Sequence, residues 1–336
     1  MKIYNITHSD LDGVLCSLSL IRYYGRQNVE IAYCGYNNVN GTLYNLLKSG
    51  EHENYDLIYI TDISINENMA KWVENNFKDK VILIDHHINT TTEHLQQYDW
   101  VIRQENDKED GFKTSACKMV YDYLLRKDEN EAPIIDEEYD VKDTFFYNAI
   151  LEEIVDLGRE YDTWLWKERD NLKAKELNAI CQILGFDRFL RECLSQVAYY
   201  DEFYVGTFEF DETLRLILDL QNEEIERYVE SAEKYMYVKE YDGLKIGVYY
   251  GERFTSEVCN VLCENHPELD AVICINMKTG CSIRTVKDDL HVGELAKKIG
   301  EAHGIAGNGH SKASGITMTP EFKEKFVDLL LKRTTL

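Results

Sequence analysis

Aliphatic runs that end in acids and imidazoles alternate with amphipathic stretches along the first third of the chain. Val81-Ile82-Leu83-Ile84 is followed directly by Asp85-His86-His87. A short continuous apolar run of this kind predicts a strand buried on both faces, as in a parallel sheet. The same pattern predicts strands over 2–7, 29–34, 56–62 and 80–85, and helices over 14–25, 66–77 and 114–127. Thr114-Ser115 can cap the third helix. Such alternation points to a mostly parallel sheet with helices on both faces. Residues 128–142 are rich in acids around Pro133 and read as a surface loop. From 143 to about 240 the periodicity is helical, and 211–240 keeps it without Gly or Pro, as one long helix would. After Asp242-Gly243 the alternation returns. It predicts strands at 245–250, 271–276, 280–286 and 313–318, with helices at 255–265, 291–302 and 320–332. The expected fold class is α/β in two domains: a mostly parallel N-terminal sheet flanked by helices, a helical connector, and a smaller C-terminal α/β domain.

Bulk properties narrow this only a little. The 336 residues are 44% hydrophobic and 29% charged, which is ordinary for a soluble protein. No run approaches the roughly 18 apolar residues of a membrane span. Met1-Lys2-Ile3-Tyr4 leads straight into a strand, so no signal peptide is expected. The nine cysteines are scattered without a C-x-x-C pair, which suggests reduced thiols in a cytoplasm, mostly as small core residues. A formal charge of −24 argues against gripping long nucleic acid through a basic surface. A short anionic substrate stays compatible, because bound cations invert the local field of an acidic pocket.

The chemistry sits at the strand ends. In the extended segment His8-Ser9-Asp10-Leu11-Asp12-Gly13, alternate residues share a face, so His8, Asp10 and Asp12 can point the same way. Carboxylates with an imidazole suit Mn2+, Mg2+, Fe2+ or Zn2+, and the oxygen majority leans toward Mn2+ or Mg2+. Taken alone, Asp62 reads as a turn cap. Together with His8, Asp10, Asp12, Asp85, His86 and His87, it suggests one polynuclear metal centre at the carboxyl edge, where α/β sheets build their sites. Near the C-terminus, Gly304 to Gly315 contains Gly307, Gly309, His310 and Lys312. Glycines let backbone N–H groups approach an anion, and Arg284 could add a bidentate clamp. A plain helix-to-strand loop is the competing reading.

These residues resemble the motifs of the DHH phosphoesterases. His8-Ser9-Asp10-Leu11-Asp12-Gly13 looks like the first motif in its shorter spacing. Asp62, in Tyr59-Ile60-Thr61-Asp62-Ile63-Ser64, resembles the second, and Asp85-His86-His87 the third, which gives the family its name. Asp162, in Tyr161-Asp162-Thr163-Trp164, resembles the fourth, with Asp156 as the competing position. Gly307-Asn308-Gly309-His310 is similar to the Gly-Gly-Gly-His motif of the DHH-associated C-terminal domain, with Asn308 departing from it. The resemblance covers nearly the whole chain and is closest to the oligoribonuclease (nanoRNase) branch.

The resemblance implies a catalytic domain over 1–205, a connector over 206–240 and a substrate-binding domain over 241–336. It implies two divalent ions, with Mn2+ favoured over Mg2+. His8, Asp10 and Asp62 would hold one ion; Asp12, Asp62, His86 and Asp162 would hold the other. Asp85 and His87 would assist catalysis. Arg284, Gly307, Gly309, His310 and Lys312 would bind substrate. The implied activity is a phosphodiesterase that degrades short oligonucleotides to mononucleotides. Phosphoadenosine phosphate or a cyclic dinucleotide are alternative substrates, and a non-catalytic nucleotide sensor is the alternative of another class. A homodimer through the helical middle is compatible, and no membrane partner is expected.

Overall fold

The computed structural model describes residues 1–88, 91–131, 148–200, 207–321 and 324. The chain divides into two compact units, Met1–Leu214 and Arg215–Leu336.

The first unit opens with β1 (Ile3–His8), α1 (Leu11–Tyr24), β2 (Val29–Cys34), α2 (Val39–Lys48), β3 (Leu57–Thr61), α3 (Glu67–Asn76), β4 (Val81–Asp85) and β5 (Val101–Arg103). The five strands form one parallel sheet in the order β2-β1-β3-β4-β5. Successive strand residues face opposite layers. Ile6, Ile58, Ile60 and Leu83 pack with Val39, Leu43 and Leu47 of α2 and with Ala70 and Val73 of α3. The other face carries Asn5, Thr7 and Thr61, all fully buried. Asn5 Nδ2 donates to Ser17 Oγ on α1 at 3.0 Å, and Thr7 Oγ1 to the Gly13 carbonyl at 3.0 Å. This polar ladder fixes α1 against the carboxyl end of β1.

The helical layer continues with α4 (Ala116–Glu131), α5 (Ala149–Asp162), α6 (Leu165–Glu168), α7 (Leu172–Leu184) and α8 (Phe186–Tyr200). α1 packs on α4, α5 and α8. Asn148 caps α5 by accepting from Leu151 N at 2.8 Å. The long α9 (Glu212–Tyr235) starts where Asp211 accepts from Leu214 N at 2.7 Å. The second unit then builds β6 (Tyr237–Tyr241), β7 (Leu244–Tyr250), α10 (Thr255–Asn265), β8 (Ala271–Asn276), β9 (Gly280–Arg284), α11 (Val292–His303), β10 (Gly307–Gly309) and β11 (Ala313–Thr317). Its mixed sheet runs β10-β11-β9-β8-β7-β6, with only β7 and β8 paired in parallel.

Several boundaries differ from expectation. α2 is a helix where no element is expected: Val39, Leu43, Leu46 and Leu47 give it an apolar stripe, obscured in sequence by Asn37, Asn38 and Gly41. The acids at 128–131 continue α4 instead of opening a loop, and 132–147 lie outside the described residues. The helix expected to run to 240 stops at Tyr235. Asp242 and Gly243, at φ 52° and 80°, form the tight turn that pairs 237–241 with β7 as a hairpin. The helix expected at 320–332 falls mostly outside the described residues. All nine cysteines are free thiols, eight of them buried. Among the described residues, no helix is long and apolar enough to cross a membrane.

Candidate metal centre

The carboxyl ends of β1, β3 and β4 are neighbours in the sheet, so their terminal residues converge. Asp10 caps α1, accepting from Gly13 N at 3.1 Å, and its Oδ2 lies 2.5 Å from His8 Nδ1. Gly13 is required at this corner. A Cβ there would sit 2.2 Å from the His8 carbonyl oxygen, so no other residue lets the helix start this close to the strand. Two residues along, Asp12 is buried and held at both oxygens by backbone N–H groups at the start of α4, those of Ala116 and Cys117, each at 2.8 Å. A helix N-terminus is a favourable place for a carboxylate.

Asp62 occupies the middle of the cluster. It leaves β3 at φ 58°, a left-handed conformation that costs a non-glycine residue on the order of 1 kcal/mol or more. Its Oδ2 lies 3.7 Å from His8 Nδ1, and its Oδ1 3.5 Å from His86 Nε2 and 3.9 Å from His87 Nδ1. His86 Nε2 also reaches Asp162 Oδ2 at 3.4 Å and Asp12 Oδ2 at 3.8 Å. Three sets of donor atoms therefore cluster within 4.8 Å of one another: His8, Asp10 and Asp62; Asp12, His86 and Asp162; and Asp62, Asp85, His86 and His87.

Asp85 plays a different part. It is fully buried and accepts from Ser64 Oγ, from His87 N at 3.1 Å and from His87 Nδ1 at 2.8 Å. Arg103 holds the following loop by donating to the His87 carbonyl and to Thr92.

The electrostatics mark this as a site short of positive charge. Burial pushes the Asp62 carboxyl well above its ordinary range, reinforced by Asp10, Asp12 and Asp162. Burial also lifts Asp162 to about 6, with His86 opposing and Asp12 and Asp10 adding to the rise. For Asp85, burial is outweighed by its bonds and charge contacts with His87, then His86 and Ser64, and its pKa falls to about 2. Burial lowers His87, but Asp85 overrides it and raises His87 to about 9.

Asp62 Oδ2 and His86 Nε2 are buried without a hydrogen-bond partner. Buried polar atoms are seldom left so, because the desolvation penalty is then uncompensated. Divalent cations fit these donors: hard carboxylate oxygens with borderline imidazoles, and a field that added positive charge relieves.

All eight N-terminal candidates, His8, Asp10, Asp12, Asp62, Asp85, His86, His87 and Asp162, are thus brought together. Asp156 is not. It lies earlier on α5, where Lys118 and Arg159 are its cationic neighbours. In the second unit, Arg284 donates to Ser256 Oγ at 2.9 Å and to the Ser314 carbonyl at 3.3 Å, while its Nε is buried without a partner. Lys312 Nζ is bonded to Asp288 at 2.7 Å and to the carbonyls of Val286 and Lys287. Gly307 and Gly309 belong to β10, and His310 bonds through its backbone to the Ala313 carbonyl. Sequence reasoning missed Ser64, Arg103 and Tyr36. Tyr36, just past β2, packs its ring 5.3 Å from His8 and 6.2 Å from His87. Only its place beyond a strand's carboxyl end could have pointed to it.

The sequence matches the DHH family, N-terminal domain, over residues 2–142. It is 34% identical over 325 residues to oligoribonuclease NrnB of Bacillus subtilis, covering 96% of this chain and 74% of that protein. It is 22% identical to a 3',5'-cyclic-nucleotide phosphodiesterase of Helicobacter pylori, covering 94% of this chain and 92% of that one. The fold is shared with the crystal structure of exonuclease RecJ bound to manganese, at a TM-score of 0.55 and 15% identity, covering 99% of this chain and 91% of that one.

Proposed function

The chain belongs to the DHH family and is a hydrolase of phosphodiester bonds, and we propose that it degrades short oligonucleotides to mononucleotides with two divalent ions. The observation that carries the reading is the convergence of seven Asp and His side chains with Asp62, with Asp62 Oδ2 and His86 Nε2 buried and without a hydrogen-bond partner. The Bacillus subtilis relative, an oligoribonuclease, supports the substrate class. The charge of −24 supports short over long substrates, since long strands require a basic track.

His8, Asp10 and Asp62 would hold one ion; Asp12, Asp62, His86 and Asp162 would hold the other. When bound, such a pair supplies a water acidic enough to attack at neutral pH and neutralises charge on the phosphoryl oxygens. The protein's own residues do the rest. The α4 backbone holds Asp12 in one orientation, so it is arranged before any ligand arrives. Asp85 holds His87 by Nδ1, which leaves Nε2 as the ring atom that would face the leaving oxygen as a proton donor. Arg284 and His310 of the second unit are the proposed substrate-binding residues, with Gly307, Gly309 and Lys312 beside His310 in sequence.

The test is product analysis with Mn2+ on an RNA dinucleotide, a long single-stranded RNA, a cyclic dinucleotide and phosphoadenosine phosphate. Rapid loss of the dinucleotide, slow loss of the long RNA, and no loss with an Asp85→Ala, His86→Ala double variant are expected. Preferential loss of the cyclic dinucleotide would instead favour a cyclic dinucleotide phosphodiesterase. Equal rates on dinucleotide and long RNA would overturn the preference for short substrates.

A further inference from the structure

Tyr36 belongs to neither ligand set, yet its ring lies against His8 of one set and against His87, the proposed proton donor. Its ring is tilted against His8 at 5.3 Å and meets His87 edge-on at 6.2 Å, at an interplanar angle of 89°. His8 ends β1 and His87 follows β4, so one aromatic ring touches residues at the ends of two strands that β3 separates. The residue is nevertheless 54% exposed, so part of it stays open to solvent. Burial, and after it the charges of Asp85, Asp62, Asp10 and Asp162, raise the pKa of its phenol, so the hydroxyl stays neutral. The ring therefore borders the ligand cluster and is in part open to solvent.

The placement is fixed by the backbone. Tyr36 sits in the turn between β2 and α2. Gly35 N donates to Asn38 Oδ1 at 2.7 Å, and Asn38 N and Val39 N both return to the Gly35 carbonyl at 3.1 Å. A hydrogen-bonded turn of this kind holds a side chain more rigidly than an open loop does, and rigid placement is what a binding group requires. The surrounding centre is rich in acceptors, and a phosphate brings more. A neutral hydroxyl among them has one proton to donate. A phosphoryl oxygen held at the metals is the acceptor that such a donor, at the mouth of the centre, can reach.

We propose that Tyr36 is a substrate-contacting residue of the centre, with its hydroxyl donating to the phosphate and its exposed ring forming one wall of the mouth. The proposal rests on the phosphodiesterase reading above and adds a residue that no family motif identified in the sequence contains. The rival explanation is that Tyr36 merely props His8 and His87 in place.

The Tyr36→Phe variant separates the two, because it keeps the ring and removes only the donor. The expected result is a fall in kcat/KM for the dinucleotide of roughly ten- to a hundredfold, as for loss of a hydrogen bond to a charged group. Mn2+ affinity, measured from the electron paramagnetic resonance signal of free Mn2+, should stay within about twofold of the parent protein. A loss of activity that tracks a loss of Mn2+ affinity, and is restored by saturating Mn2+, would overturn the proposal in favour of propping. Unchanged activity and affinity would also overturn it. If the parent protein cleaves no dinucleotide, the functional reading fails first. The Tyr36 proposal is then decided by calorimetric binding of AMP to the Mn2+-loaded proteins: about tenfold weaker binding by the variant upholds it, and equal binding overturns it.

Discussion

The Asp/His cluster of the first unit and the glycine-rich segment of the second both read in sequence as places that bind something, and the structure treats them in opposite ways. In the cluster, buried polar atoms are left over. Asp62 Oδ2 and His86 Nε2 lack partners, and Asp62 holds a left-handed backbone. In the glycine segment most groups are already used. A Cβ on Gly307 would lie 2.1 Å from the Ala296 carbonyl oxygen, and one on Gly309 2.4 Å from Ser314 Cα, so packing of α11, β10 and β11 accounts for both glycines. Lys312 is satisfied by Asp288 and two carbonyls. The exception is Arg284, whose Nε is buried and unpartnered. The lesson is that a motif's residue types suggest a ligand, but leftover bonding capacity is what argues for one.

Asp62 is the residue on which the cluster depends most. Asp62→Ala should lower dinucleotide hydrolysis by at least about a thousandfold, since it removes the carboxylate shared by both proposed ions. Its thermal unfolding in EDTA should occur at or above the parent temperature, because a strained, mutually repelling carboxylate is gone. Full activity in a folded Asp62→Ala variant would sink the two-ion reading. Gly307→Ala should show the reverse. It overpacks backbone against backbone and should destabilise urea unfolding by about 1–3 kcal/mol, with Mn2+ binding unchanged. An unaltered stability would mean that packing does not explain the glycine.

How much of this could be read in the sequence follows from how local each cause is. The strands leading to Asp62 and Asp85 are short, mostly apolar runs, the one leading to His8 mixes apolar and polar residues, and these patterns sufficed. The first three motifs are contiguous and carry their own spacing. Asp162 and Asp156 share one helix in similar company, so only the fold separates them, by bringing His86 to 3.4 Å from Asp162. Tyr36 was illegible because nothing local marks it; strand order alone sets β2 beside β1. The 237–241 strand was hidden in a run with helical period. Its one local sign was Asp242-Gly243, a hairpin dipeptide that reads equally well as a domain break.

Two smaller effects sharpen the contrast. In the metal-free protein, Asp85 raises the His87 pKa from its usual 6.5 to about 9. A group raised in the folded state contributes stability that is complete below its unfolded pKa and is lost as pH rises through its folded one. Thermal stability in EDTA should therefore decline between about pH 6.5 and 9, and His87→Gln should flatten that slope. An equal slope in the variant would remove the pair as its cause. At the weak end, Lys312→Ala should change stability by no more than about 1 kcal/mol, because its partner Asp288 is fully exposed. It should leave KM nearly unchanged, whereas Arg284→Ala should raise KM more than it lowers kcat. Matching KM increases in the two variants would show that the satisfied lysine also binds substrate.

The central claim is that the leftover donors around Asp62 are the two halves of one metal centre. Mn2+ stoichiometry, counted by equilibrium titration of the parent protein and of Asp62→Ala, tests it most directly. Two tight ions per chain are expected in the parent and at most one in the variant. Two ions in both proteins, or none in the parent, would contradict it.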